Sequence, residues 1–114
     1  MLIKYKKNLE KIAMGLLSFM PEEKDIKKLQ ETIKEYNTNP DWSLYLWKEE
    51  DILGAIGIKI EEENLVIQHI SVNPSYREQG IGKKMVLDIK KKYTGQYTIH
   101  PDDMTEEFYS KCKE

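Results

Sequence analysis

A chain of 114 residues holds one domain and one core, large enough to bury about two-thirds of its unfolded surface without help from a disulfide or metal. Its 18 Lys and Arg against 20 Asp and Glu leave a net charge of −2, which gives no support for general nucleic-acid binding. The single cysteine, Cys112, excludes an internal disulfide and fits a reducing cytosol. No apolar run approaches the roughly 20 residues that span a bilayer, and residues 1–7 lack the apolar stretch of a signal peptide. These features predict a cytoplasmic, soluble single domain over residues 1–114, with neither nucleic acid nor membrane as a partner.

Residues 2–6 alternate apolar and polar, as a first strand does. Residues 9–36 follow a helical period, with Leu9, Ile12, Ala13, Leu16 and Leu17 and then Ile26, Leu29 and Ile33 on the apolar side. Pro21, followed by Glu22 and Glu23, fits the first turn of a new helix, so two helices or one broken near residues 19–21 are expected. The run Asn37-Thr38-Asn39-Pro40 is a stop. Residues 42–48 alternate and are aromatic, residues 52–60 form a second strand interrupted by Gly54 and Gly57, and residues 65–72 form a third. Polar turns at 49–51 and 61–64 join them into an antiparallel meander. Asn73-Pro74-Ser75 ends the third strand, because Pro74 has no N–H to give a ladder. Beyond a loop with Gly80 and Gly82, Ile81, Met85, Val86 and Ile89 mark a helix to about Tyr93, stopped by Gly95. Residues 96–100 are a short strand, and a helix between two strands predicts a parallel crossover. Asp102 or Thr105 caps a last helix with Glu106 and Glu107 in its first turn. The order β-α-α-β-β-β-α-β-α predicts an α+β (mixed α/β) fold, with helices on both faces of a central, mostly antiparallel sheet.

Strand, glycine-bearing turn and helix in that order aim backbone N–H groups at one point before the helix, whose N-terminal end carries roughly half a positive charge. That is a phosphate cradle. Lys83 and Lys84 in the first helical turn oppose the usual dipole preference for acids there, which makes sense if an anion docks at that end. Lys90-Lys91-Lys92 read as a solvated face. On the third strand, Gln68 and His69 precede Ile70; imidazole titrates near neutral pH and suits a base, whereas an amide cannot be one. Adjacent strand residues point to opposite faces, so only one of the two is expected to face a substrate, and a bonded core histidine is the plainer reading of His69. His100 could also reach a cleft. Two histidines, one cysteine and no ligand spacing point away from a metal. Tyr36, Trp42, Tyr45, Trp47 and Tyr97 read as core and groove residues, with Tyr45 and Trp47 on one strand face.

The element order, the run Arg77-Glu78-Gln79-Gly80-Ile81-Gly82 and the preceding Ile70-Ser71-Val72-Asn73-Pro74 resemble the GNAT family of acyl-CoA-dependent N-acetyltransferases over nearly the whole chain. Residues 11–21 and the run from Gln68 to Ser75 resemble a small branch of that family encoded in bacterial riboflavin operons. The resemblance implies a GNAT-like fold and an acetyl-CoA (CoA) site. Ile70, Ser71 and Val72 would pair their backbone with the pantetheine arm. The loop Glu78, Gln79, Gly80, Ile81, Gly82 and Lys83 would hold the pyrophosphate, with Arg77 and Lys84 beside it. Transfer would run by direct attack of a primary amine, from a small molecule or a protein. A base or water chain at Gln68 or His69 would take the amine proton, and Tyr109, in the family's Phe/Leu-Tyr position, would protonate the thiolate. Asp102 stands where the family often has Asn, and Lys113 where a Gly often ends the helix. Family members usually continue with two more strands; a chain ending at Glu114 is truncated at the C-terminus by that measure and leaves a sheet edge open, which either the terminus folds over or another subunit covers, the second being a homodimer. The rival expectation is a CoA-binding regulatory module with little catalysis, which the short end and the absence of an acid on the cofactor strand favour.

Overall fold

The computed structural model describes residues 1–111 of the chain. Its elements are β1 (Leu2–Lys4), α1 (Glu10–Leu17), α2 (Ile26–Thr38), β2 (Trp42–Lys48), β3 (Ile52–Glu61), β4 (Asn64–Val72), α3 (Ile81–Lys92), β5 (Thr98–Pro101) and α4 (Glu106–Lys111). The five strands lie in chain order and are antiparallel except for the last pair. β4 and β5 are parallel because α3 carries the chain back along the sheet between them. This is the expected α+β arrangement. No helix among the described residues is long and apolar enough to cross a membrane.

Helices on both faces explain why β3 is buried on both sides over most of its length. Alternation along β2 divides the two cores: Leu44 and Leu46 meet Leu16, Leu17, Leu29 and Ile33 of α1 and α2, while Tyr45 and Trp47 meet Ile81, Met85, Val86 and Ile89 of α3. Tyr45 and Trp47 thus share a face.

Two departures from simple periodicity shape the cleft. Pro21–Glu23 forms a single 3-10 turn rather than the start of a helix, and α2 begins at Ile26 behind Asp25, whose carboxylate accepts from the Lys27 amide at 2.9 Å. The turn sends Glu23 inward, where it is 2% exposed. The second departure is a β-bulge. Gly57 pairs with His69 but Ile58 pairs with Ile67, so Gln68 is an extra residue in β4.

β4 and β5 pair only from Asn64 to Ile67. There the chain leaves the sheet: the Ile67 carbonyl accepts from the Asp102 amide at 3.0 Å and from the Thr105 hydroxyl at 2.6 Å. Asp102 in turn caps this bend, accepting from the Met104 and Thr105 amides. Residues 68–72 therefore have β3 on one side and, among the described residues, no strand on the other. The far side of β5 is a sheet edge, and its side chains are half to fully exposed. Cys112 and Lys113 lie outside the described residues.

Candidate active site

Three cavities adjoin one another along the unpaired part of β4. The first, of about 530 Å³, lies before α3 and is bounded by Arg77, Glu78, Gly80, Gly82, Lys83 and Phe108. The second, of about 410 Å³, runs along Ile70, Ser71 and Val72 under an apolar rim of Phe19, Met104 and Phe108. The third, of about 190 Å³, holds Glu22, Glu23, Trp42, Gln68, His69 and Asp102. The first two share Val72, Arg77 and Phe108; the second and third share Met20, Glu22 and Met104. The result is a single groove from the end of α3 to a polar pocket at the bulge.

At the α3 end, Glu78 (φ 69°) and Gly80 (φ 76°) both adopt left-handed backbone with one residue between them. Such alternation curls a loop so that its amides converge on an anion. The first-turn amides of a helix have no intrahelical carbonyl to reach. Arg77 ties the loop to β4, its Nε donating to the Val72 carbonyl at 3.4 Å. A Cβ at position 82 would lie 2.2 Å from Cζ of Phe108, so glycine there lets the Phe108 ring close over the helix end. Gln79 and Lys84 are exposed and outside the lining of this cavity. Along β4, the Ser71 hydroxyl donates to the Leu16 carbonyl, which fixes α1 against the strand. A nest at a helix end, followed by an unpaired strand edge and an apolar rim, fits a diphosphate joined to an amide-bearing arm.

At the other end the bulge overturns the expectation that Gln68 and His69 face opposite ways. With Gln68 as the extra residue, both side chains turn to the same side and meet the Tyr36 hydroxyl. The Gln68 amide donates to it at 3.0 Å, and it lies 2.6 Å from Nδ1 of His69. The Tyr36 oxygen takes the Gln68 hydrogen, so its own hydrogen goes to Nδ1. The ring hydrogen of His69 is then on Nε2, which points at Oε2 of Glu23, 3.5 Å away. Glu23 also accepts from the Thr32 hydroxyl at 2.6 Å and sits 3.5 Å from the Lys28 ammonium. His69 is thus a bonded, buried histidine and a lining residue of the pocket at once. Gly57 makes room for this network: a Cβ there would fall 1.9 Å from the Tyr36 hydroxyl.

Burial alone would raise the Glu23 carboxyl, but the bonds from His69 and Thr32, together with the charges of His69 and Lys28, outweigh it and hold the group below its ordinary value of 4.5. A carboxyl with a depressed folded-state value contributes stability that is fully present above its unfolded value and is lost as pH falls through the folded one. Urea unfolding followed from neutral to acid pH is therefore expected to show Glu23→Gln losing less stability than wild type over that fall. Burial pushes the Tyr36 hydroxyl well up, reinforced by the charges of Glu23 and Asp102 and only partly offset by Gln68. Tyr36 stays a neutral phenol and keeps its donor role.

Of the Phe108-Tyr109 pair, it is Phe108 that lines the cavities. The Tyr109 ring is buried in the α3-side core with the Lys90 ammonium 5.0 Å over its centroid. Helical geometry separates the two, since neighbours on α4 point about 100° apart and the Gly82 notch accepts Phe108. His100 bonds Asn64 at 2.8 Å, at the opposite end of β4 from the pocket. Lys92, read above as solvated, lies 5.5 Å over the Tyr45 ring. Glu22, Glu23 and Tyr36 are the site residues that sequence reasoning missed as such. A glycine inside a strand often marks a bulge, so Gly57 was the available signal for the altered facing of Gln68.

A groove with an anion nest at one end and a polar pocket at the other, on a sheet that splays between β4 and β5, defines an acyltransferase acting on CoA thioesters. The acetyltransferase (GNAT) family model matches residues 9–112, and the chain belongs to that family. A relative from Bacillus methanolicus, described as an uncharacterized N-acetyltransferase in the lysA 3′ region, is 57% identical over 115 residues, 99% of this chain and 95% of that one. Among solved structures, the aminoglycoside acetyltransferase AAC(6′)-Iy with a CoA-linked bisubstrate analogue superposes with a TM-score of 0.78 at 14% identity, over 97% of this chain and 84% of that one. A possible acetyltransferase from Clostridium difficile 630 also superposes at 0.78 with 14% identity, over 97% and 86%. Members of this family are N-acetyltransferases that use acetyl-CoA, and this enzyme is one of them.

Proposed function

We propose that acetyl-CoA lies in the groove from the α3 nest along residues 70–72 and that the amine acceptor enters through the pocket at Glu23 and His69. The observation that carries this is the free edge of β4, which connects the nest to the buried Glu23–His69–Tyr36 network without interruption. Acetyl-CoA supplies an acetyl thioester, an acyl group activated toward direct attack by a neutral amine. The amides of the loop from Glu78 to Lys83, with Arg77, hold the diphosphate. The edge of Ile70, Ser71 and Val72 orients the arm, and an N–H there, assigned to Ile70, polarises the thioester carbonyl.

The amine proton passes through a water to the Tyr36 hydroxyl, which hands its own hydrogen to Nδ1 of His69, and the CoA sulfur leaves as the thiolate. Protonated at Nδ1, His69 is bonded at both nitrogens, to the Tyr36 oxygen and to Glu23. The same partners therefore serve the neutral and the charged ring. Gln68 acts through Tyr36, holding its oxygen in place. The acid role implied for Tyr109 is not part of this reading, since its ring packs in the core beneath Lys90. Tyr109→Phe is expected to keep turnover within about threefold, because general acid catalysis contributes roughly 10²-fold or more where it operates. A loss of that larger size with acetyl-CoA affinity unchanged would restore the acid role.

The test of the whole reading is amine-dependent release of the CoA thiol from acetyl-CoA across a panel of amines. Turnover that saturates with an amine is expected. Acetyl-CoA bound but never turned over, whatever the amine, would favour the binding-module reading instead. Within the family, the two runs at residues 11–21 and 68–75 support a RibT-like assignment to the riboflavin-operon branch; including flavin precursors in the panel tests it. The edge of β5, unpaired among the described residues, supports a homodimer, and a monomer by sedimentation velocity would reject that.

A further inference from the structure

We propose that the Thr105 hydroxyl is the positioning group that ends the β4–β5 ladder and holds the edge of β4 open to the arm of acetyl-CoA. This goes beyond the site reading above and rests on it for the place of the arm along residues 70–72.

A parallel ladder does not stop by itself. Each carbonyl on one strand can take an amide from the next, so β5 would run on beside β4 unless the chain were turned aside. The last paired residues are Ile67 and Pro101, and the Asp102 amide makes the last ladder bond, to the Ile67 carbonyl at 3.0 Å. Thr105 then closes the ladder. It is 1% exposed. Its hydroxyl donates to the same carbonyl at 2.6 Å and accepts from the Asp102 amide at 3.1 Å. Both lone pairs of that carbonyl are then taken. Asp102 answers through Oδ1, which accepts from the amides of Met104 at 2.9 Å and Thr105 at 3.0 Å. The two residues cap one another's backbone, as in a capping box, and the chain winds into α4 instead of pairing.

The carbonyl that Thr105 holds is the one before the bulge. It shares a rigid peptide plane with the Gln68 amide, so anchoring it sets how the extra residue enters the strand. The Asn73 amide donates to the Leu53 carbonyl of β3 at 2.8 Å. Backbone groups alternate between the two sides of a strand. Ser71 and His69 therefore also face β3, and Ile70 and Val72 turn their N–H and C=O to the open side. Counted from Ile67 without a bulge, the alternation would instead set Ile70 and Val72 against β3. Thr105 borders the cavity along these residues as well, so its hydroxyl stands at the root of the edge that the arm meets. A residue serving only as a helix cap would contribute stability and nothing to binding.

The experiment is calorimetric titration of acetyl-CoA into wild type, Thr105→Val, Thr105→Ser and Ile33→Val, with urea unfolding of each. Valine keeps the shape and removes the hydroxyl, and is expected to weaken the Kd about tenfold or more. Thr105→Ser keeps the hydroxyl and should stay within about threefold of wild type. Ile33 is buried in the core between α1, α2 and the opposite face of the sheet, so Ile33→Val should lose stability and leave the Kd unchanged. Should valine prevent folding, Thr105→Ala, which also lacks the hydroxyl, gives the same comparison. Binding by the hydroxyl-free variant within threefold of wild type would overturn the proposal. So would Thr105→Ser binding as weakly as Thr105→Val, or a Kd that follows stability in Ile33→Val too. Failure of folded wild type to bind acetyl-CoA would overturn the reading beneath it, and this proposal with it.

Discussion

Gly57→Ala is expected to destabilise the fold by about 2–4 kcal/mol, the sum of overpacking and a broken buried hydrogen bond, and to abolish most turnover. The added Cβ would fall 1.9 Å from the Tyr36 hydroxyl, 2.6 Å from Cζ of that ring and 3.2 Å from Nδ1 of His69. Tyr36 is buried between α2 and the sheet and has nowhere to retreat. Urea unfolding measures the first effect and thiol release the second. Adding Tyr36→Phe removes the nearest clashing atom and should recover part of the stability, but not the turnover, because His69 then lacks its Nδ1 partner. Gly15→Ala is the contrast. Gly15 lies inside α1 with no atom near its missing Cβ, so alanine there is expected to stabilise by about 0.5–1 kcal/mol through helix propensity alone. Equal effects at the two sites would contradict the packing described at the bulge.

His69→Gln is expected to lower kcat/KM by roughly 10²-fold or more, the usual contribution of a positioned proton acceptor, while acetyl-CoA binds as before. Glutamine can still reach Tyr36 or Glu23 with a neutral group, so the fold is expected to hold. A variant that stays within about threefold of wild type would make His69 a positioning residue only.

The order of elements was legible because each strand and helix carries its own period: the aromatic alternation of residues 42–48 and the Ile81, Met85, Val86, Ile89 spacing of α3 both reappear as built. The phosphate cradle was legible for a related reason, since its chemistry lies in contiguous backbone around Gly80 and Gly82. The acceptor end was not. One inserted residue, Gln68, reverses the facing that a two-residue period predicts, and nothing local to Gln68 announces it. Glu23 follows a proline in a charged stretch and looks like a first-turn acid. It turns inward because Thr32 and His69, from a helix and a distant strand, supply its bonds. The Phe108 and Tyr109 pair was readable as a motif, but which of the two faces the groove depends on the notch at Gly82.

Calorimetric titration of acetyl-CoA into wild type and Gly82→Trp tests the central claim most directly, because a side chain at position 82 must displace Phe108 and fill the nest before α3. Phe108 is 38% exposed and can swing into solvent, so the variant is expected to fold, with an unchanged far-UV circular dichroism spectrum. The groove described here predicts saturable binding by wild type and an affinity at least about 100-fold weaker in the variant, close to 2.7 kcal/mol. Equal binding by the two proteins, or none by folded wild type, would contradict it.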